Sequence, residues 1–187
     1  SYNAAFGTSS LAANTTGASN SAFGANTLAA NTTASNNTAM GYNAGTAITT
    51  GTENTVVGAL AGDAITTGNE NTAVGKTALS ADTLGHRSVA IGQGTLATQN
   101  FTSSTNSYNT AVGFQAGNAV TTGTLNTFIG ALSGDAVTTG GQNTALGQNS
   151  LGSNTTASNN TAIGYVALVA NTTGASNTAV GKSALGA

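Results

Sequence analysis

The sequence predicts an all-β chain wound as a parallel β-solenoid of 17-residue coils, and three observations carry that prediction. Glycines recur at Gly7, Gly24, Gly41, Gly58, Gly75 and Gly92, then at Gly113, Gly130, Gly147, Gly164 and Gly181, always 17 residues apart except for one interval of 21. Each closes the word Asn-Thr-Ala-apolar-Gly or a near variant, as in Asn71-Thr72-Ala73-Val74-Gly75 and Asn177-Thr178-Ala179-Val180-Gly181. The remainder is rich in Thr, Asn and Gly, poor helix formers, and shows no apolar stripe of period 3.6. A 17-residue period is too short for paired helices. It suits a coil that rises one strand spacing, about 4.8 Å, so that eleven units stack into a rod roughly 50 Å long.

Residues 1–187 read as a single repeat domain of eleven units with a four-residue insertion within 99–109, and as a piece of a longer fibre. Laid over one another, the units turn positions into columns. Four residues before the glycine stands an asparagine, including Asn37, Asn54, Asn71, Asn126, Asn143 and Asn160, broken only by Ser88. Stacked amides hydrogen-bond between coils and satisfy polar groups in a buried turn, so this column is read as a structural ladder. Directly before the glycine, the column Phe6, Phe23, Met40, Val57, Val74, Ile91, Val112, Ile129, Leu146, Ile163 and Val180 is apolar in every unit and is expected to be the buried stripe. The glycine itself is expected to supply a positive φ or a close backbone approach.

Four residues after the glycine, Leu11, Leu28, Leu79, Leu96, Leu151, Leu168 and Leu185 alternate with Gly45, Gly62, Gly117 and Gly134. Three residues further on, leucine units carry polar residues such as Asn31, Asp82 and Gln99, whereas glycine units carry Ile48, Ile65, Val120 and Val137. One apolar slot is filled from either of two positions, the exchange a narrow, close-packed interior imposes. Thr-Thr-Gly or Thr-Thr-Ala follows, as in Thr49-Thr50-Gly51, threonine suiting a strand and glycine the turn after it.

Composition limits function. Three Lys and Arg against five Asp and Glu give a net charge of −2, and Lys76, Arg87 and Lys182 lie in separate units, which argues against a nucleic-acid partner. Leu, Ile, Val and Phe make up only about a sixth of the chain, too few for an ordinary globular enzyme core. Without cysteine there is no disulfide or thiolate metal site, and no apolar run is long enough to insert into a membrane. His86 is the only histidine and no acid, base and nucleophile set can be assembled, so neither an enzyme nor a cofactor or metal is expected. Glu53, Glu70 and Arg87 share one column and predict an exposed charge ladder, with His86 beside it; Asp63 and Asp135 are read as turn residues. The insertion is the candidate surface-binding site, with Phe101, Asn106 and Tyr108 suited to glycan contact on a loop projecting from a rigid scaffold.

At this point the residues resemble a known group. Arg87-Ser88-Val89-Ala90-Ile91-Gly92 is close to the Asn-Ser-Val-Ala-Ile-Gly signature of trimeric autotransporter adhesin heads, and Asn-Thr-Ala-Val-Gly-x-x-Ala-Leu is similar to repeats of phage tail-fibre proteins. Adhesin heads use repeats of about 14 or 15 residues, shorter than those here, and open their signature with Asn where this chain has Arg87. The resemblance implies a left-handed β-roll that forms a homotrimer. The expected function is the structural or adhesive shaft or head of an extracellular fibre, at a bacterial cell surface or on a virion, with a cell-surface glycan as an outside partner. From the residues alone, two alternatives stay open: an ice-binding solenoid, recognised by a flat threonine face, and the subunit of a self-polymerising filament.

Overall fold

The computed structural model describes residues 2–186, and among them every regular element is a β-strand. In chain order these are β1 (Ala4–Phe6), β2 (Ser21–Phe23), β3 (Thr38–Met40), β4 (Thr55–Val57), β5 (Thr72–Val74), β6 (Gly85–His86) and β7 (Val89–Ile91). After them come β8 (Thr105–Asn106), β9 (Thr110–Val112), β10 (Thr127–Ile129), β11 (Thr144–Leu146), β12 (Thr161–Ile163) and β13 (Thr178–Val180). Eleven of them stack in sequence as one parallel sheet, and β6 pairs with β8 in a separate two-stranded sheet beside the insertion. Register follows the repeat: Thr55 faces Thr72, Val56 faces Ala73 and Val57 faces Val74. The chain is a parallel β-solenoid of 17-residue coils.

The strands are short because glycine ends each one. Gly58 has φ +129°, and a Cβ there would lie 2.7 Å from the carbonyl carbon of Gly75 in the next coil. Both expected roles therefore fall on one residue: a positive φ that turns the chain, and an approach of backbones too close for any side chain.

The asparagine ladder is buried along the stack. Asn71 N–H donates to Asn54 Oδ1 at 3.0 Å and Asn54 Nδ2 donates to Gly68 O at 2.9 Å; the same pair of bonds recurs at Asn37, at Asn126 and at Asn143. Asn160 Oδ1 accepts from Asn177 N–H, while its Nδ2 has no partner. Apart from Asn160, these amides each tie a buried backbone donor to a buried carbonyl that would otherwise be stranded.

The apolar stripe lies one residue from where the sequence reading puts it. The column before the glycine faces out: Phe6 is 76%, Met40 50% and Val180 66% exposed. The preceding residue faces in, and Ala22, Ala39, Val56, Ala73, Ala90, Ala111, Phe128, Ala145 and Ala162 are fully buried. Strand side chains alternate, so only one of two adjacent apolar columns reaches the interior. In most coils the inward residue is alanine and leucine fills the slot opposite, with Leu28, Leu79, Leu96 and Leu151 fully buried; Val56 and Phe128 stand inward in glycine coils, where Ile48, Ile65, Val120 and Val137 are the buried residues of that slot.

That leucine or glycine position is left-handed in every coil, with φ +50° at Leu28, +52° at Leu79 and +57° at Gly45. The conformation costs a leucine roughly 1–2 kcal/mol, less than the roughly 1.5–3 kcal/mol gained by burying its side chain. Glycine enters where the inward strand residue grows. A Cβ at Gly62 would lie 2.7 Å from Val56 Cγ1, one at Gly117 2.8 Å from Phe128 Cδ2, and one at Gly134 2.5 Å from Phe128 Cε1.

The paired threonines also differ from expectation. They occupy bends, not strands. The first of each pair reaches along the axis, its Oγ1 donating to the carbonyl of its counterpart, as from Thr32 to Thr49 at 3.1 Å and from Thr138 to Thr155 at 3.0 Å. The threonines on the sheet are others, Thr38, Thr55, Thr72, Thr110, Thr127, Thr144, Thr161 and Thr178, which begin the strands.

Candidate functional site

The insertion leaves the main sheet in register, since Val89 of β7 pairs directly with Thr110 of β9. The extra residues are taken up beside it, where His86 of β6 pairs with Asn106 of β8. Of the three residues expected to present a binding surface, Asn106 and Tyr108 are exposed. Phe101 is not: it is 4% exposed, while Thr102, Ser103 and Ser104 stay outside. An aromatic ring in a polar bulge is the group water penalises most, so it turns inward and is corrected here to a packing residue.

Arg87 organises the surface. Its Nε and Nη2 donate to Glu70 Oε2 and Oε1 at 2.9 and 3.1 Å, a bidentate pair across one coil step. Its Nη1 donates to Asn106 Oδ1 at 3.0 Å and to the Tyr108 hydroxyl at 3.2 Å, and the guanidinium carbon lies 5.8 Å from the Tyr108 ring centroid. Bonding to Arg87 holds the Glu70 carboxyl below the usual carboxylate range, and Glu70 raises the Arg87 guanidinium in turn. The charge column seen in the sequence is real at its Glu70–Arg87 step.

His86 lies next to this cluster with Nε2 2.7 Å from Ser104 Oγ. Such a pair resembles a nucleophile and its base, but the protons run the other way. The backbone N–H of Asn69 donates to Nδ1 at 3.0 Å, so Nδ1 must accept and Nε2 carries the hydrogen, donating to Ser104. A base for a serine needs its acceptor nitrogen toward the hydroxyl. Here the imidazole is an axial cap, the part Ser35 and Ser158 play for Ala18 and Gly141 elsewhere in the same column. Among the described residues no group of three or more His, Cys, Asp or Glu could hold a metal ion.

Beneath the surface lies a buried polar network that the sequence reading missed. Gln99 Nε2 donates to Asp82 Oδ2 at 2.6 Å and to Ser88 Oγ at 2.8 Å, and Asn109 Nδ2 donates to Gln99 Oε1 at 2.8 Å. Ser88 and Ser107 hydroxyls lie 2.6 Å apart. Burial pushes the Asp82 carboxyl up, opposed by bonds from Gln99 and from the Gly85, Phe101 and Leu84 backbone. Burial likewise raises Asp63 and Asp135, both in turns. The signal was present: Ser88 breaks the asparagine ladder, and Asp82 and Gln99 replace asparagine in the two units next to the insertion.

Together Asn69, Glu70, His86, Arg87, Ser104 and Asn106 line an open depression of about 270 Å³. No family model, curated protein or solved structure matches the chain.

Proposed function

We propose that the chain is the shaft or head of an extracellular fibre, a phage tail fibre or a bacterial surface adhesin, in which three copies associate lengthwise as a homotrimer. One observation carries this reading: the outward apolar column from Phe6 to Val180 runs the length of an eleven-strand sheet and is left bare in the single chain. With its strand threonines the face is roughly 50 Å long and about 10 Å wide, on the order of 500 Å², large for a patch a soluble monomer leaves uncovered. Tyr42, Phe114 and Tyr165, each about half exposed, widen it on one side. Parallel sheets are ordinarily covered on both faces, and like columns at a common spacing can pair along a shared axis. The repeat resemblance supports the same arrangement, and the stacked coils make a stiff spacer.

The test is the absolute mass of the purified chain by light scattering at several concentrations. A closed trimer at all of them is expected. A stable monomer refutes trimerisation, and mass that grows with concentration assigns the chain to an open filament instead.

A second reading draws on the same face. Thr38, Thr55, Thr72, Thr110, Thr127, Thr144, Thr161 and Thr178 form an outward column, interrupted by Val89, beside mostly β-branched residues, the kind of surface an ice-binding solenoid uses. Thermal hysteresis in a monomeric preparation would favour it. Protruding Phe6, Phe23 and Met40 at one end speak for a protein partner.

A further inference from the structure

We propose that the depression beside Arg87 is a subsite for one neutral sugar ring of a glycan. Glu70 and Arg87 neutralise one another through two short hydrogen bonds, and Arg87 spends its remaining reach on Asn106 and Tyr108. An anion finds no unpaired cation here, and a metal ion finds a single carboxylate already engaged.

What remains is hydrogen-bonding capacity of both senses. Because Asn69 N–H fixes the His86 tautomer, Nε2 donates to Ser104 Oγ and the Ser104 hydroxyl hydrogen is left to point elsewhere. Asn106 uses its oxygen on Arg87 and leaves its NH₂ over, and Asn69 uses its oxygen on Thr52 and leaves its NH₂ over. The Glu70 carboxylate retains lone pairs that its two bonds to Arg87 do not consume. Donors and acceptors a few ångström apart with no net charge suit vicinal hydroxyls, each of which both donates and accepts. Tyr108 stands outside the depression, behind Arg87, whose guanidinium lies over one face of its ring. A depression of about 270 Å³ has room for one ring.

The repeat supplies its own control. In the same two columns other units carry pairs such as Thr124-Leu125 and Gly141-Gln142, and only at the insertion do an imidazole, a guanidinium, a carboxylate and two free amides meet. The adhesive use of the subsite rests on the fibre reading; ring binding itself does not.

The experiment is saturation-transfer difference NMR on the full chain with the methyl α-glycosides of glucose, galactose, mannose and N-acetylglucosamine, and with methyl glucuronoside and methyl glucosaminide as charged probes. Transfer to at least one neutral glycoside is expected, falling about five-fold or more in Ser104→Ala and in Asn106→Ala, both exposed positions. Gln142→Ala, one column position in a unit without the depression, should leave it unchanged. No transfer to any neutral glycoside, transfer unaffected in both site variants, or transfer to the charged probes alone would overturn the proposal. Mass measured on the same samples separates the two readings: a trimer without ring binding removes the subsite only, and a monomer that binds removes the fibre assembly only.

Discussion

Phe128 offers the sharpest test of how the interior is filled. It is fully buried against Gly117 and Gly134, and its coil and the preceding one carry Val137 and Val120 in the slot opposite. The other glycine pair solves the same problem with the sizes exchanged, a smaller Val56 between Gly45 and Gly62 and a larger Ile48 and Ile65 opposite. Phe128→Val alone removes four carbons from a site whose glycines cannot follow, and should cost about 2–3 kcal/mol. Val120→Ile with Val137→Ile, made without it, overfills the slot and should cost about 1–3 kcal/mol. All three together import the other pair's set and should fall within about 1.5 kcal/mol of the parent. Guanidinium unfolding at one fixed protein concentration gives the cycle. If the three changes add instead of cancelling, the two glycine pairs are not alternative fillings of one volume, and the compensation argument fails.

Other consequences are open to direct measurement. Asn54→Leu strands the Asn71 N–H and the Gly68 carbonyl and should lower stability by about 2–4 kcal/mol, read from urea unfolding. Asp82 has its folded pKa raised by burial, so its contribution to stability is fully present below the unfolded value of 3.8 and is lost as pH rises through the folded value. Acidification toward that window should therefore raise the melting temperature, and Asp82→Asn should flatten that part of the profile. Arg87→Ala breaks an exposed pair and should leave the melting temperature nearly unchanged, so a clear drop in calorimetry would mean that the insertion depends on it.

The coil was readable from sequence because its demands repeat. A glycine that must turn and must lack a Cβ cannot vary, and the asparagine ladder varies only at Ser88, where Gln99 and Ser107 supply the bonds instead; the exchange of Leu28 for Gly45 with Ile48 likewise appeared as a pattern. Facing was harder to read. In Thr-Ala-Val both Ala and Val are apolar, and hydrophobicity alone favours the larger as the core residue, whereas the narrow coil admits Ala73 or Ala111 and turns Val74 or Val112 outward. The left-handed backbone at Leu28 and Leu79 had no signal, because leucine is not a residue that announces that conformation. At the insertion the sequence placed Glu70 and Arg87 in one column, where they pair, and Asn106 and Tyr108 stand exposed beside them. It misplaced Phe101, whose burial depends on how the bulge folds, and it missed the Asp82–Gln99–Ser88 network, which forms only because three departures from the repeat fall side by side.

The claim that the bare apolar face is an assembly surface is tested most directly by light scattering on the parent chain and on Ile129→Glu side by side. Ile129 is 37% exposed and faces out, so the change adds a charge to the face without entering the core. The account predicts a trimer for the parent and a folded monomer for the variant, with the same circular dichroism spectrum. A parent that stays monomeric, or a variant that still trimerises, would contradict it.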